Sequence, residues 1–245
     1  YLDVILRRTN ALTGIQYSDD PTIMAWELGN ELEGMTARWI DRIAGFIKAR
    51  APRQLVAAGR RFGVDDGAVA AEKIDIVDAH YYPPTVDKLI ADSARVTNAG
   101  KVYVVGEYGS DAATDELLRP LAHQVEITGL IVWSLFPHAD EEGYVEHGDG
   151  FTLHFPGATP EERQRATAIV DYSRAIGALQ PRFVLSPPVI TAVVGDARHE
   201  VSFRGSAGAV DYLVEHSIDA VQWIVIGSVG AHESPFPAHP SEGTN

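Results

Sequence analysis

The chain of 245 residues contains no cysteine, which excludes disulfides, a thiolate nucleophile and cysteine-ligated metal centres together. It has no long apolar run. The two strongest, 129–136 and 221–229, fall far short of the roughly twenty residues that a bilayer-crossing helix needs, so no membrane partner is expected. Positive charge is scarce: 20 Lys and Arg stand against 34 Asp and Glu, a formal net charge of −14. Such a chain repels nucleic acid and other polyphosphates, whereas an uncharged polysaccharide meets no such barrier. No glycine-rich phosphate loop follows any apolar run, so a nucleotide-dependent enzyme is disfavoured and no cofactor is expected. The sequence opens at Tyr1 without a basic-then-apolar leader, and the helical spacing of its first residues reads as a start inside a helix. The expectation is a piece of a longer polypeptide.

What is present is an alternation. Near-continuous apolar runs at 22–28, 54–58, 74–79, 102–107 and 129–135 read as strands buried on both faces, the mark of a parallel sheet. Helical patterns separate them. Residues 36–49 place Trp39, Ile43, Phe46 and Ile47 on one stripe, and 85–99, 115–126 and 160–176 follow. The last begins with Thr159 as N-cap, Pro160 at the first position and Glu161 and Glu162 at the positive dipole end. Repeated βα units predict an α/β fold, either an open doubly wound sheet or a (β/α)8 TIM barrel. Near residue 180 the texture changes. Gln180-Pro-Arg and Ser186-Pro-Pro read as a linker. The segments 200–204, 210–215 and 221–226 alternate, with Val201, Phe203, Val210, Tyr212 and Val214 inward, as in an antiparallel β-sandwich. The tail 231–245 reads as disordered or unpaired. The expected domains are 1–180 and 187–245.

Two runs carry the chemistry. The strand at 22–28 leads into Asn30-Glu31, and the strand at 102–107 ends in Glu107. In a barrel, catalytic groups sit at the carboxyl ends of strands, and two carboxylates there suit glycoside hydrolysis, one as acid and one as nucleophile. A strand-end glutamate alone is more often a rim residue or a salt-bridge partner; the pair shifts the balance to catalysis. Glu27 is a competing acid, but Glu31 stands at the strand end after Asn30, whose amide can orient a substrate hydroxyl. His80 and Tyr82 close the intervening strand; the first can bond the nucleophile region and the second can donate to Glu107. Trp133 offers a sugar platform, with core packing as its plainer role, and Trp26 reads as structural. The polar loop 136–150, with His138 and His147, is placed to line the same cleft. Its spacing matches no standard metal loop, so no metal is expected.

The run from Arg8 to Glu31, with Tyr17 and Trp26-Glu-Leu-Gly-Asn-Glu31 inside it, resembles the fourth-strand segment of endo-β-1,4-mannanases in glycoside hydrolase family 5. His80-Tyr-Tyr82, Gly106-Glu107-Tyr-Gly and Trp133 then follow in the order of that family's strands six, seven and eight. Leu32 departs from the Pro or Ala usual after the Asn-Glu pair. The resemblance covers about residues 5–178. It implies a TIM barrel of which strands 4–8 are present, and a retaining mechanism with Glu31 as acid/base and Glu107 as nucleophile. It further implies that Asn30, His80, Tyr82 and Trp133 contact the sugar, that β-mannan is the substrate and that the protein is secreted. The tail resembles a partial fibronectin type III or immunoglobulin-like module. A β-glucanase of the same fold and a non-catalytic carbohydrate-binding barrel are the alternatives.

Overall fold

The structure, a computed structural model, describes residues 1–139, 143–177, 187–195, 199–205, 209, 211–230 and 236–238. The chain divides into two compact units, 1–133 and 134–245. The first contains α1 (Leu2–Leu6), β1 (Ala25–Glu27), α2 (Ala37–Lys48), β2 (Leu55–Arg61), α3 (Asp66–Ala70) and β3 (Ile76–Tyr81). α4 (Val86–Asn98), β4 (Val102–Gly109), α5 (Asp115–Leu121) and β5 (Ile127–Trp133) complete it. The five strands form one sheet in the order β1-β2-β3-β4-β5, every neighbouring pair parallel. A doubly wound sheet reverses its strand order at a switch point. Here the order runs one way, with a helix in every crossover, which is the arc of a barrel. All five carboxyl ends therefore open on one mouth.

Local chemistry supports each crossover. Thr36, Asp65, Thr85 and Thr114 cap α2, α3, α4 and α5 by accepting the backbone N–H of Trp39, Ala68, Lys88 and Leu117. Leu89 and Val96 of α4 and Leu117, Leu118 and Leu121 of α5 are buried, as are Val56, Val77, Tyr103 and Val105 of the strands. Several expectations shift. The α2 core face is Ile40, Ala44 and Ile47. Ile47 is buried as expected, but Ile40 and Ala44 take the places of Trp39 and Ile43: Trp39 stays 38% exposed, and Phe46 is covered by the Arg50 guanidinium 3.5 Å from its ring centroid. β1 has three residues where seven were expected, because Asp20 takes the N–H and hydroxyl of Thr22 and holds that segment in a turn. α5 stops at Leu121, and β5 begins two residues early, at Ile127. The short helix α3 carries too few apolar residues to show as a periodicity.

One irregularity aims the site. Ala79 pairs with Val105, but His80 pairs with Glu107, the register slipping by one residue at Gly106. A bulge of this kind re-aims the next side chain. Without the extra residue, His80 would face Gly106 and Glu107 would turn to the other surface of the sheet.

In the second unit β6 (His138–Ala139) pairs antiparallel with β7 (Gly143–Tyr144). α6 (Pro160–Ala175) begins with the Thr159/Glu162 capping box. β8 (Val189–Val194), β9 (His199–Arg204), β10 (Asp211–His216), β11 (Ile224–Gly230) and β12 (Phe236–Ala238) follow. They form an antiparallel sheet in the order β12-β9-β8 and a β10-β11 hairpin. Along β10 Tyr212 and Val214 are the more buried set, as the alternation predicts, and Tyr212 meets the Phe203 ring edge-on at 5.3 Å. Part of the tail expected to be unpaired is in fact a strand: Phe236–Ala238 pairs with β9. The expected linker residues 180–186, Val210 and the rest of the tail lie outside the described residues.

Among the described residues β1 and β5 each pair along one edge only, and unpaired edges template association. A polypeptide limited to these 245 residues is expected to self-associate with rising concentration. Light scattering checks this; a monodisperse monomer at high concentration contradicts it.

Candidate active site

Past the end of β1 the chain turns through residues 28–30 and sets Glu31 in the left-handed region, φ 47°. Such backbone in a non-glycine residue costs about 1–3 kcal/mol and is concentrated at functional sites. Phe62, just past β2, shares the feature with φ 61°. The Glu31 side chain meets two partners: His80 Nδ1 lies 3.1 Å from Oε1, and Arg61 Nε, at the end of β2, lies 3.8 Å from Oε2. His80 comes from the end of β3. The same Nδ1 is 3.3 Å from Glu107 Oε2, and the Tyr82 hydroxyl donates to that oxygen at 2.6 Å. Both partners of Glu107 thus engage Oε2 rather than Oε1. One carboxylate oxygen each of Glu31 and Glu107 and one His80 nitrogen lie within 4.8 Å of one another.

His80 is 2% exposed. Burial by itself would lower its pKa, but the Asp78, Glu31 and Glu107 carboxylates outweigh it and push it up to about 9. It is therefore an imidazolium at neutral pH, donating from Nδ1 toward both glutamates and from Nε2 toward Asp78 Oδ2 at 3.5 Å. A divalent ion held by these three groups would need the lone pair of a neutral His80 imidazole.

Of the residues singled out from sequence, Glu31, His80, Tyr82 and Glu107 are brought together. Asn30 is exposed in the turn beside Glu31. Trp133 is half-buried at the end of β5, paired with Gly109, two residues past Glu107. His138 belongs to the second unit, and its side chain lies outside the described residues. Sequence reasoning missed Arg61 and Asp78. Asp78 had a signal, since it stands two residues before His80 and so faces the same side of β3. Glu27, set aside as the acid, belongs to the same cluster: burial of its carboxyl and the neighbouring Asp78 charge raise its pKa to about 7.

The model of GH family 5 beta-mannosidase-like proteins matches residues 1–88. Mannan endo-1,4-beta-mannosidase 1 of Oryza sativa subsp. japonica is 38% identical over 217 residues, 65% of this chain and 50% of that protein. Mannan endo-1,4-beta-mannosidase 5 of Arabidopsis thaliana is 47% identical over 66 residues, 24% of this chain and 15% of that protein. The match thus spans half or less of these relatives' length. Among solved structures, a glycoside hydrolase family 5 mannosidase from Rhizomucor miehei (E301A mutant) aligns with a TM-score of 0.51 at 20% identity. The alignment covers 73% of this chain and 58% of that one, a likeness in fold. The five-stranded parallel sheet and this neighbour fit part of an α/β barrel.

The His80 shift sets a pH prediction. Its folded pKa lies above the unfolded value of 6.5, so the stabilisation is fully present below that value and is lost as pH rises through about 9. At about 1.4 kcal/mol per unit, the difference is about 3 kcal/mol at most. His80→Gln should melt well below wild type at mildly acidic pH and approach it at alkaline pH. Parallel melting curves across this range would contradict the imidazolium.

Proposed function

We propose that this chain carries the catalytic carboxylates of a retaining glycoside hydrolase acting on β-1,4-linked mannan. The observation that carries the reading is the approach of Glu31 and Glu107 to within 4.8 Å at one mouth of a parallel sheet. Retaining enzymes hold their two carboxyl groups about 5–5.5 Å apart, whereas inverting enzymes leave room for water between theirs. The similarity to mannan endo-1,4-beta-mannosidases supports mannan as the polymer. Such a polymer is too large to enter a cell, which favours a secreted protein, and the net charge of −14 is no obstacle to a neutral chain.

The chemistry follows from the geometry. Glu107, with Oε2 held by Tyr82, attacks the anomeric carbon through Oε1. Glu31 gives its proton to the departing glycosidic oxygen, the carbon–oxygen bond breaks and a mannosyl ester forms on Glu107. Glu31, now a carboxylate, takes a proton from a water molecule that attacks the same carbon. The ester breaks, Glu107 is released and the anomeric configuration is restored. His80 presents its charge to whichever acid is ionised, Glu107 before the ester forms and Glu31 while it persists.

The test uses the complete gene product. Glu107→Gln and Glu31→Gln should each lower the release of reducing ends from galactomannan by roughly a thousandfold or more, within the usual range for removal of an acid or nucleophile. Near-normal turnover in either variant would refute the assignment. Faster hydrolysis of carboxymethylcellulose than of mannan would move the reading to a β-glucanase.

A further inference from the structure

Beneath the cluster lies a second pair of acids that the hydrolytic steps leave unused. Asp78 is buried, and its Oδ1 has no hydrogen-bond partner among the described residues, while Oδ2 faces His80 Nε2. Glu27 reaches toward it from β1, across β2. A Cβ on Gly59 would stand 2.5 Å from Glu27 Oε1 and 3.4 Å from Asp78 Oδ2. A Cβ on Gly106 would overlap the Asp78 carboxyl. Two glycines on different strands therefore vacate the space that two carboxyl groups fill. Residue 27 is exposed as a whole, but its acid end rests against Gly59, on the side where Asp78 Oδ2 also lies. Two ionised carboxylates this close repel, and one shared proton removes the repulsion.

We propose that Glu27 and Asp78 share one proton and together clamp the Nε2 edge of His80, as positioning residues for the imidazolium that spans Glu31 and Glu107. The clamp itself follows from the packing; only its catalytic consequence rests on the hydrolase reading. The charged groups around it are Glu31 beyond β1, Arg61 at the end of β2, His80 on β3 and Glu107 on β4. Of these, the Glu107 charge favours the protonated Glu27 and the His80 charge opposes it.

The experiment is a side-chain nitrogen NMR titration of the histidines, with His80 identified by the signals lost in His80→Gln. Asp78→Asn should lower the His80 proton affinity at least tenfold. Glu27→Gln should leave it within about threefold of wild type, because the amide donates to Asp78 as the neutral acid does. Were Glu27 an independent anion, its replacement by Gln would weaken the His80 proton as Asp78→Asn does; that result, or no shift in Asp78→Asn, overturns the proposal. If Asp78→Asn does not fold, difference infrared spectroscopy decides. At mildly acidic pH Glu31→Gln, which lacks the acid/base proton, should still show the carbonyl stretch of a protonated acid, and adding Glu27→Gln should remove it. Absence of the band in Glu31→Gln overturns the clamp. Mannan hydrolysis is read separately: a wild type that titrates as stated but cleaves nothing refutes the hydrolase reading and leaves the clamp standing.

Discussion

Two acids held within 4.8 Å would repel each other by roughly 3.5 kcal/mol if both were ionised, at an effective dielectric constant of about 20, so the pair favours a state in which one of them keeps a proton. The His80 imidazolium presents one N–H edge to both and stabilises whichever carries the charge. Its charge has its own cost in a buried position, which Asp78 offsets from the opposite edge. Acids and base thus form one alternating chain of charge across three strands. The site is an electrostatic unit rather than a pair of independent glutamates.

The fold serves that unit through small departures from regularity. Sequential parallel strands bring the ends of β1, β3 and β4 to one mouth. The bulge at Gly106 then sets Glu107 opposite His80, and the left-handed turn at Glu31 brings the other acid back over the sheet. Gly59 and Gly106 clear room for Glu27 and Asp78. Each device lowers local stability or regularity, and each stands beside an ionisable group. Such departures from local rules are expected where function constrains a fold.

Much of this was legible in the sequence because it rests on local pattern. Buried parallel strands announce themselves as continuous apolar runs, the start of α6 as Thr159 before Pro160 and two acids, and strand-end acids by their position. The one-way strand order, which separates a barrel arc from a doubly wound sheet, is a long-range property that no window of sequence contains. The same holds for Arg61 beside Glu31 and for the meeting of Glu27 with Asp78, residues 51 apart in the chain. The α2 stripe was partly misplaced because Trp39 and Phe46 weigh heavily in hydrophobicity, yet their size lets Arg50 and solvent cover them. Phe236–Ala238 was missed as a strand because its composition is that of a loop, while its order comes from pairing with β9.

The spacing of the two acids makes one stereochemical demand. Proton NMR of the first sugar released from a β-mannan by the complete gene product, recorded before mutarotation, reads it directly. Retention, with the β-anomer appearing first, is the result that close carboxylates bridged by His80 predict. Initial release of the α-anomer would mean that water stands between the acids during reaction, and the account of the site would be wrong.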